Sequence, residues 1–250
     1  MGLFGNKKNH QTEKWNIRTM FGPHMSFSVT EAYKLLRANI MFSFSDEGVG
    51  HVVGITSSLQ AEGKSSTAVN TAYALSESGA KVLLMDADLR RPSVAAKLGL
   101  ARTPGLTNLL VGRGNYREML QHNPTAPNMD VLTSGDIPPN PSELLGSNRM
   151  EKLMAELVKD YDYVIVDLPP VNGVSDAVAM SRVLDGVIMV VRNGVSEQRM
   201  LAEALRQLKL VNVRILGFVF RDNAVGSAKY GRKYGYKYKK YYSEYAKKKK

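Results

Sequence analysis

The chain has 250 residues, 44% of them hydrophobic and 23% charged, enough for one large domain with its own core. It contains no cysteine, which excludes a disulfide scaffold, thiolate metal sites and a cysteine nucleophile. No apolar run approaches the roughly 18 residues of a spanning helix, and Met1 to Gln11 lacks an apolar leader, so a chain neither secreted nor membrane-spanning on its own is expected.

Charge is distributed unevenly. The formal net charge is +11, and ten Lys/Arg against the single acid Glu244 put +9 of it between Lys229 and Lys250. A nearly neutral body therefore carries a basic end, a pattern used for nucleic acid, anionic membrane surfaces or solubility.

In chain order, residues 1–28 are polar without a sustained period and read as a flexible arm. Leu36, Ile40 and Phe44 then recur at helical spacing, which predicts a helix over Thr30–Phe44 with Thr30 as its cap. Strands are predicted at His51–Ile55, Lys81–Met85, Met129–Thr133, Tyr163–Val166, Val187–Val191 and Ile215–Phe220. Helices are predicted between them at Ser65–Ser78, Pro92–Leu98, Ser147–Lys159, Ser175–Val183 and Glu197–Leu210. Strands that are apolar throughout and alternate with helices imply a mostly parallel sheet covered on both faces, a doubly wound α/β domain spanning 29–222. Residues 223–250 have no core-forming pattern: seven tyrosines, at 230, 234, 236, 238, 241, 242 and 245, are interleaved with Lys, Arg and Gly. Such a segment buries too little apolar surface to order itself.

The sharpest local signal is Thr56-Ser57-Ser58-Leu59-Gln60-Ala61-Glu62-Gly63-Lys64-Ser65-Ser66, between a predicted strand and a predicted helix. That context suits a phosphate loop, in which backbone N–H groups and the helix dipole face the anion. The expected nucleotide-binding residues are Ser58, Ala61, Glu62, Gly63, Lys64, Ser65 and Ser66, with Lys64 neutralising phosphate and the Ser65 hydroxyl ligating Mg²⁺. The match is partial, because Ser58 stands where the general pattern has glycine.

Two further strands end in acid: Val82-Leu83-Leu84-Met85-Asp86-Ala87-Asp88 and Tyr163-Val164-Ile165-Val166-Asp167. A lone aspartate at a strand end is commonly a turn or cap residue. In an open parallel sheet, however, the carboxyl ends of the strands form the ligand crevice, so Asp86, Asp88 and Asp167 are expected beside the loop. Carboxylates, a serine hydroxyl and phosphate oxygens make an oxygen-only site that suits Mg²⁺. A tyrosine hydroxyl, with a pKa of about 10, needs a base before it can attack phosphorus, and Asp86 or Asp88 is placed to be one. Seven phosphorylated tyrosines would add roughly −10 to −14 and reverse the charge of the tail. The same tail also reads as a basic arm that stacks on single-stranded nucleic acid or lies on a membrane surface.

Together these segments resemble the bacterial tyrosine kinases of capsule and exopolysaccharide systems, over nearly the whole chain from Thr30 onward. The loop resembles their Walker A. Leu83-Leu84-Met85-Asp86-Ala87-Asp88-Leu89-Arg90-Arg91-Pro92 is similar to their Walker A′, and Val164-Ile165-Val166-Asp167-Leu168-Pro169-Pro170 to their Walker B. Thr103-Pro104-Gly105-Leu106 and Pro138-Pro139-Asn140-Pro141-Ser142-Glu143-Leu144-Leu145 match further family segments.

The resemblance implies ATP- and Mg²⁺-dependent autophosphorylation in trans on Tyr230, Tyr234, Tyr236, Tyr238, Tyr241, Tyr242 and Tyr245. It implies catalytic roles for Lys64, Asp86, Asp88 and Asp167, with Ser65, Asp86 and Asp167 around the metal. Glu31, Lys34 and Arg37 would form the contact of a homo-oligomeric ring, with Lys34 lacking the bidentate fork of the family's usual arginine. The implied partners are a membrane polysaccharide co-polymerase acting as activator and a phosphotyrosine phosphatase. Nucleic acid is not an expected partner. The implied location is cytoplasmic, at the inner face of the membrane through the partner. Two departures stand out. Gln60 and Ala61 replace a common Pro-Gly pair, which puts backbone strain at Ala61, and Phe220-Arg221 falls where an asparagine is expected, with Asn223 close by.

Two other readings compete. One is an ATPase related to the MinD and ParA proteins, with water as acceptor; Leu59 stands where that group carries a signature lysine. The other is a non-enzymatic module anchored by its basic tail.

Overall fold

The structure, a computed structural model, describes residues 25–44, 48–122, 126 and 128–222. The tyrosine cluster and Asn223 lie outside the described residues, as does most of the N-terminal arm.

The elements follow in order as α1 (Phe27–Ser43), β1 (His51–Ser57), α2 (Lys64–Ser76), β2 (Val82–Asp86), α3 (Val94–Leu98), α4 (Leu106–Leu110), α5 (Tyr116–Met119) and β3 (Gln121–His122). Then come β4 (Met129–Leu132), α6 (Pro141–Leu145), α7 (Asn148–Asp160), β5 (Tyr163–Asp167), α8 (Asp176–Ala179), β6 (Gly186–Arg192), α9 (Gln198–Leu210) and β7 (Ile215–Arg221). One sheet joins the strands in the order β3-β4-β2-β5-β1-β6-β7. Every pairing is parallel except that of the two-residue edge strand β3 with β4. The architecture is a doubly wound, mostly parallel sheet of the P-loop NTPase type.

Burial on both sides follows from the alternation of side chains along each strand. Val52, Leu83, Met85, Val164 and Val166 face the layer containing α7, where Met150, Leu153, Met154 and Leu157 pack on them. Val53, Ile55, Leu84 and Ile165 point the other way, onto Ala68, Val69, Ala72 and Leu75 of α2 and Ile40 of α1. Strands buried on both faces show no hydrophobic alternation, which is why they read as continuous apolar runs. The expected face of α1 is the buried one: Ile40 is buried, Leu36 and Phe44 pack against the same cluster, and the Phe44 ring stacks on His51 at 4.2 Å.

Three local expectations need correction. Helix α1 begins at Phe27, so Ser26 rather than Thr30 occupies the cap position; the N–H groups of Val29 and Thr30 both donate to the Ser26 carbonyl at 3.0 Å. The helix expected over Ser175–Val183 is a single α turn followed by a 3₁₀ turn over Met180–Val183. Between β2 and β4, and again before α7, short helices of four or five residues appear that periodicity does not reveal. One of them explains the Thr103-Pro104-Gly105-Leu106 segment. A Cβ on Gly105 would lie 2.2 Å from the Thr133 carbonyl oxygen, so only glycine lets the N–H of Leu106 reach that carbonyl at 2.8 Å.

Candidate phosphoryl-transfer site

Register places the acidic strand ends together. Asp86 and Asp167 are direct partners across β2 and β5, and Asp167 is in turn level with Ile55 of β1. Strand β1 continues to Ser57 and then turns into the loop that opens α2 at Lys64. The loop and the carboxylates thus share one edge of the sheet, at the point where the connection leaving β1 runs toward β2 while those leaving its neighbours β5 and β6 run the opposite way.

The loop is tightly shaped. Gly63 has φ 96°, and Ala61 has φ 63°, in the left-handed region that costs a non-glycine residue roughly 1–2 kcal/mol. The Ser58 hydroxyl donates to Glu62 Oε1 at 2.9 Å and the Leu59 N–H to Glu62 Oε2 at 2.8 Å. Serine therefore replaces the usual glycine by bonding across the loop. The guanidinium of Arg221 donates to the Gly63 carbonyl at 3.2 Å and lies where a Cβ on Gly63 would collide with it, at 1.4 Å.

Lys64 projects from the first turn of α2 into the carboxylates. Its Nζ is 2.6 Å from Asp88 Oδ2 and 3.8 Å from Asp167 Oδ1. Burial opposes its charge, but Asp167 and Asp88 outweigh burial and hold its pKa above the ordinary lysine value. Asp88 Oδ1 accepts the Arg91 N–H at 3.0 Å. Asp86 is turned to the backbone: its Oδ2 accepts from the N–H groups of Ser93 and Val94 at 3.1 and 3.0 Å, at the start of α3. Burial, then the neighbouring Asp167, push the Asp86 carboxyl well above the usual carboxylate range.

Asp167 is fully buried, and among the described residues neither of its oxygens completes a hydrogen bond. Burial raises its pKa, with Lys64 and the nearby Ser65 hydroxyl opposing. An orphaned buried carboxylate beside a serine hydroxyl fits a hard cation. Among the described residues no three acidic or histidine side chains converge as a complete cage. That suits Mg²⁺, which takes one or two carboxylates and fills its shell with water and phosphate oxygens. Ser65 and Asp167 are residues that could hold it, with Asp86 fixed alongside.

Asp167 also carries a stability prediction. Its Asn variant removes one of three crowded carboxylates, while Lys64 keeps Asp88. Without nucleotide or Mg²⁺, Asp167→Asn is expected to melt about 2–4 °C higher, for about 1 kcal/mol gained, at the expense of activity. A lower melting temperature would mean that the Lys64–Asp167 attraction outweighs the desolvation.

A cleft of about 340 Å³ opens over this cluster, lined among others by Lys64, Ser65, Asp88, Arg90, Arg91 and Pro170. Arg90 is held by a fork from Nε and Nη2 to the buried Asp176, at 2.9 and 3.1 Å. A larger cleft of about 630 Å³ between α1 and β7 contains none of Lys64, Ser65, Asp86, Asp88 or Asp167. The residues expected at a ring contact lie on α1, away from the phosphate loop. Lys34 pairs with Glu31 at 2.9 Å on the surface, and Arg37 donates to the Ala74 carbonyl of α2 at 2.9 Å. Arg221, noted in the sequence only as standing where an asparagine is expected, touches the loop from β7, and Arg192 and Ser196, which touch it from β6 and the segment after it, were missed from the sequence. No local motif marks them, because their contacts span more than 130 residues.

Residues 52–215 match the protein family described as AAA domain. The chain is 40% identical to the tyrosine-protein kinase YwqD of Bacillus subtilis (strain 168) over 203 residues, 81% of this chain and 85% of the relative. Among solved structures, the kinase domain of the Escherichia coli tyrosine kinase ETK is similar with a TM-score of 0.74 at 31% identity, covering 80% of this chain and 78% of that one. The chimerical protein CapA2B2 is similar with a TM-score of 0.73 at 33% identity, covering 78% and 84%. With a lysine-bearing phosphate loop, two register-matched carboxylates with Asp88 just beyond them, and relatives of this kind along most of its length, the chain belongs to the bacterial tyrosine-protein kinases and is a protein-tyrosine kinase.

Proposed function

We propose that the chain transfers the γ-phosphoryl group of ATP to the tyrosines of its own C-terminal cluster, in trans between subunits, and that this regulates capsular or exopolysaccharide synthesis and export. The observation that carries the reading is the position of Lys64 between the phosphate loop and Asp88. Without nucleotide, Asp88 is the partner of Lys64. A triphosphate on the loop competes for that lysine, and its withdrawal frees Asp88 Oδ2 to accept a proton.

In the transfer step the acceptor tyrosine oxygen bonds to the γ-phosphorus, the bond from that phosphorus to the β,γ-bridging oxygen breaks, and ADP leaves. The phenolic proton goes to Asp88. Lys64 and the N–H groups at the start of α2 stabilise charge on the phosphoryl oxygens. Mg²⁺, when bound, supplies further neutralisation of the phosphate oxygens. Arg90, held by Asp176, also lines the cleft.

The chain leaves β7 at Arg221, which touches Gly63, so the tail starts beside the loop. Nine residues further, Tyr230 is within about 30 Å of extended chain. Reach alone admits transfer within one subunit; transfer in trans, the ring through Glu31, Lys34 and Arg37, the membrane co-polymerase activator, the phosphatase and the membrane-proximal location rest on the family resemblance.

The test incubates the full chain with ATP and Mg²⁺ and maps phosphotyrosine by mass spectrometry. Label on the tail cluster is expected. A chain lacking residues 229–250 is expected to label the tail of a Lys64→Met chain, which separates transfer in trans from transfer in cis. Phosphate release without phosphotyrosine would favour the hydrolase reading, in which water is the acceptor.

A further inference from the structure

The phosphate loop holds a left-handed alanine and a buried carboxylate, and both are gripped by one segment distant in sequence. Ala61 has φ 63°, a conformation that persists only where surrounding contacts over-determine it. Its carbonyl accepts from Arg192 Nη1 at 2.7 Å. The next residue, Glu62, is fully buried and forms no ion pair among the described residues. Its carboxylate accepts the Ser58 hydroxyl, the Leu59 N–H and the Ser196 hydroxyl, three neutral donors. Ser196 is itself fixed to Arg192: its Oγ accepts the Arg192 N–H at 2.7 Å, and its own N–H donates to the Arg192 carbonyl at 2.9 Å.

An uncompensated carboxylate is unfavourable inside a loop that must receive a polyanion. Its use here is as a cross-link. Glu62 draws the start of the loop inward through Ser58 and Leu59 and ties it to the turn after β6 through Ser196. Arg192 closes the same ring at Ala61. Removing the turn's two donors would leave Ala61 free to relax out of the left-handed region, and Glu62 short of one of its three donors.

We propose that Arg192 and Ser196 are positioning residues that latch the phosphate loop, through Ala61 and Glu62, in its anion-binding shape before nucleotide arrives. The proposal rests on the reading of this loop as the nucleotide site.

Equilibrium binding of a fluorescent ATP analogue with Mg²⁺ to the full chain tests it, alongside thermal melts of each variant. Ser196→Ala is expected to weaken binding about tenfold, the range for a lost hydrogen bond to a charged acceptor. Ser196→Thr, which keeps the hydroxyl, is expected to restore it. Glu62→Gln combined with Ser196→Ala is expected to lose less than the product of the single effects, since both act on one contact. Wild-type affinity in Ser196→Ala, with or without a lowered melting temperature, overturns the latch. So does a Thr variant as weak as the Ala variant. If instead the wild type fails to bind the analogue, or Lys64→Met binds it equally well, the nucleotide-site reading itself falls and the latch with it.

Discussion

Lys64→Met is expected to weaken binding of Mg·ATP and to lower tail phosphorylation on the order of 100-fold or more, the range in rate for removing one preorganised charge-stabilising donor. The lysine is the cation closest to the carboxylate cluster, 2.6 Å from Asp88 and 3.8 Å from Asp167. Methionine keeps the packing of the aliphatic stem and removes the charge together with the hydrogen bond to Asp88. The substitution also acts on the fold. Removing one partner of a buried charge pair costs about 3–5 kcal/mol when the other stays ionised. Asp86 and Asp167 are already held above the usual carboxylate range by burial; Lys64 is the main group opposing that shift at Asp167 and adds to the Val94 N–H in opposing it at Asp86. Without Lys64, their folded-state pKa values rise further above the unfolded value of about 3.9.

Over the window above that value the folded state then binds more protons than the unfolded state, so stability falls as pH rises. The melting-temperature deficit of Lys64→Met relative to wild type should therefore be larger at pH 8 than at pH 6. Phosphotyrosine blots and melts at the two pH values check both parts. A variant that labels its tyrosines normally removes Lys64 from the mechanism. A deficit independent of pH removes the electrostatic account of its structural role.

Much of this arrangement is legible in the sequence because it rests on local rules. A strand buried on both faces must be apolar throughout, so Lys81–Met85 and Tyr163–Val166 read as strands and the aspartates that follow them, Asp86 and Asp167, fall on the loop's edge. What stayed hidden is either short or distant. Strand β3 has two residues, and α5 has four, below any period that can be counted. The β6–α9 turn reaches the loop from 134 residues away, and no spacing rule links Ser196 to Glu62. Partial motif matches proved informative at the level of single residues. Ser58 at the glycine position is explained by its bond to Glu62, and Ala61 at a second glycine-like position takes up the left-handed backbone that glycine would adopt without strain. Asp86 shows that two readings of one residue can both hold: it caps the start of α3 and also sits against Asp167.

Asp88→Asn is expected to separate binding from chemistry. The amide removes the anion that now engages Lys64, so the lysine becomes freer to meet phosphate, and one negative charge disappears from a site built for a polyanion. Affinity for ADP and for the ATP analogue should be unchanged or tighter. Transfer should fall about 10²- to 10⁴-fold, the range for loss of a general base, because asparagine cannot take the phenolic proton. The local fold is expected to survive, since the amide oxygen can still accept the Arg91 N–H that Asp88 Oδ1 accepts now, at 3.0 Å. Measured side by side, Lys64→Met loses binding and transfer together, whereas Asp88→Asn keeps the first and loses the second. If Asp88→Asn labels its tail at the wild-type rate, the proton goes elsewhere. The other side chain weighed for that role, Asp86, has one oxygen committed to Ser93 and Val94 and the other facing the Asp88 N–H at 3.3 Å. Both oxygens of Asp86 are thus engaged by backbone N–H groups, which on the proposed function favours Asp88 for the proton and Asp86 for the scaffold.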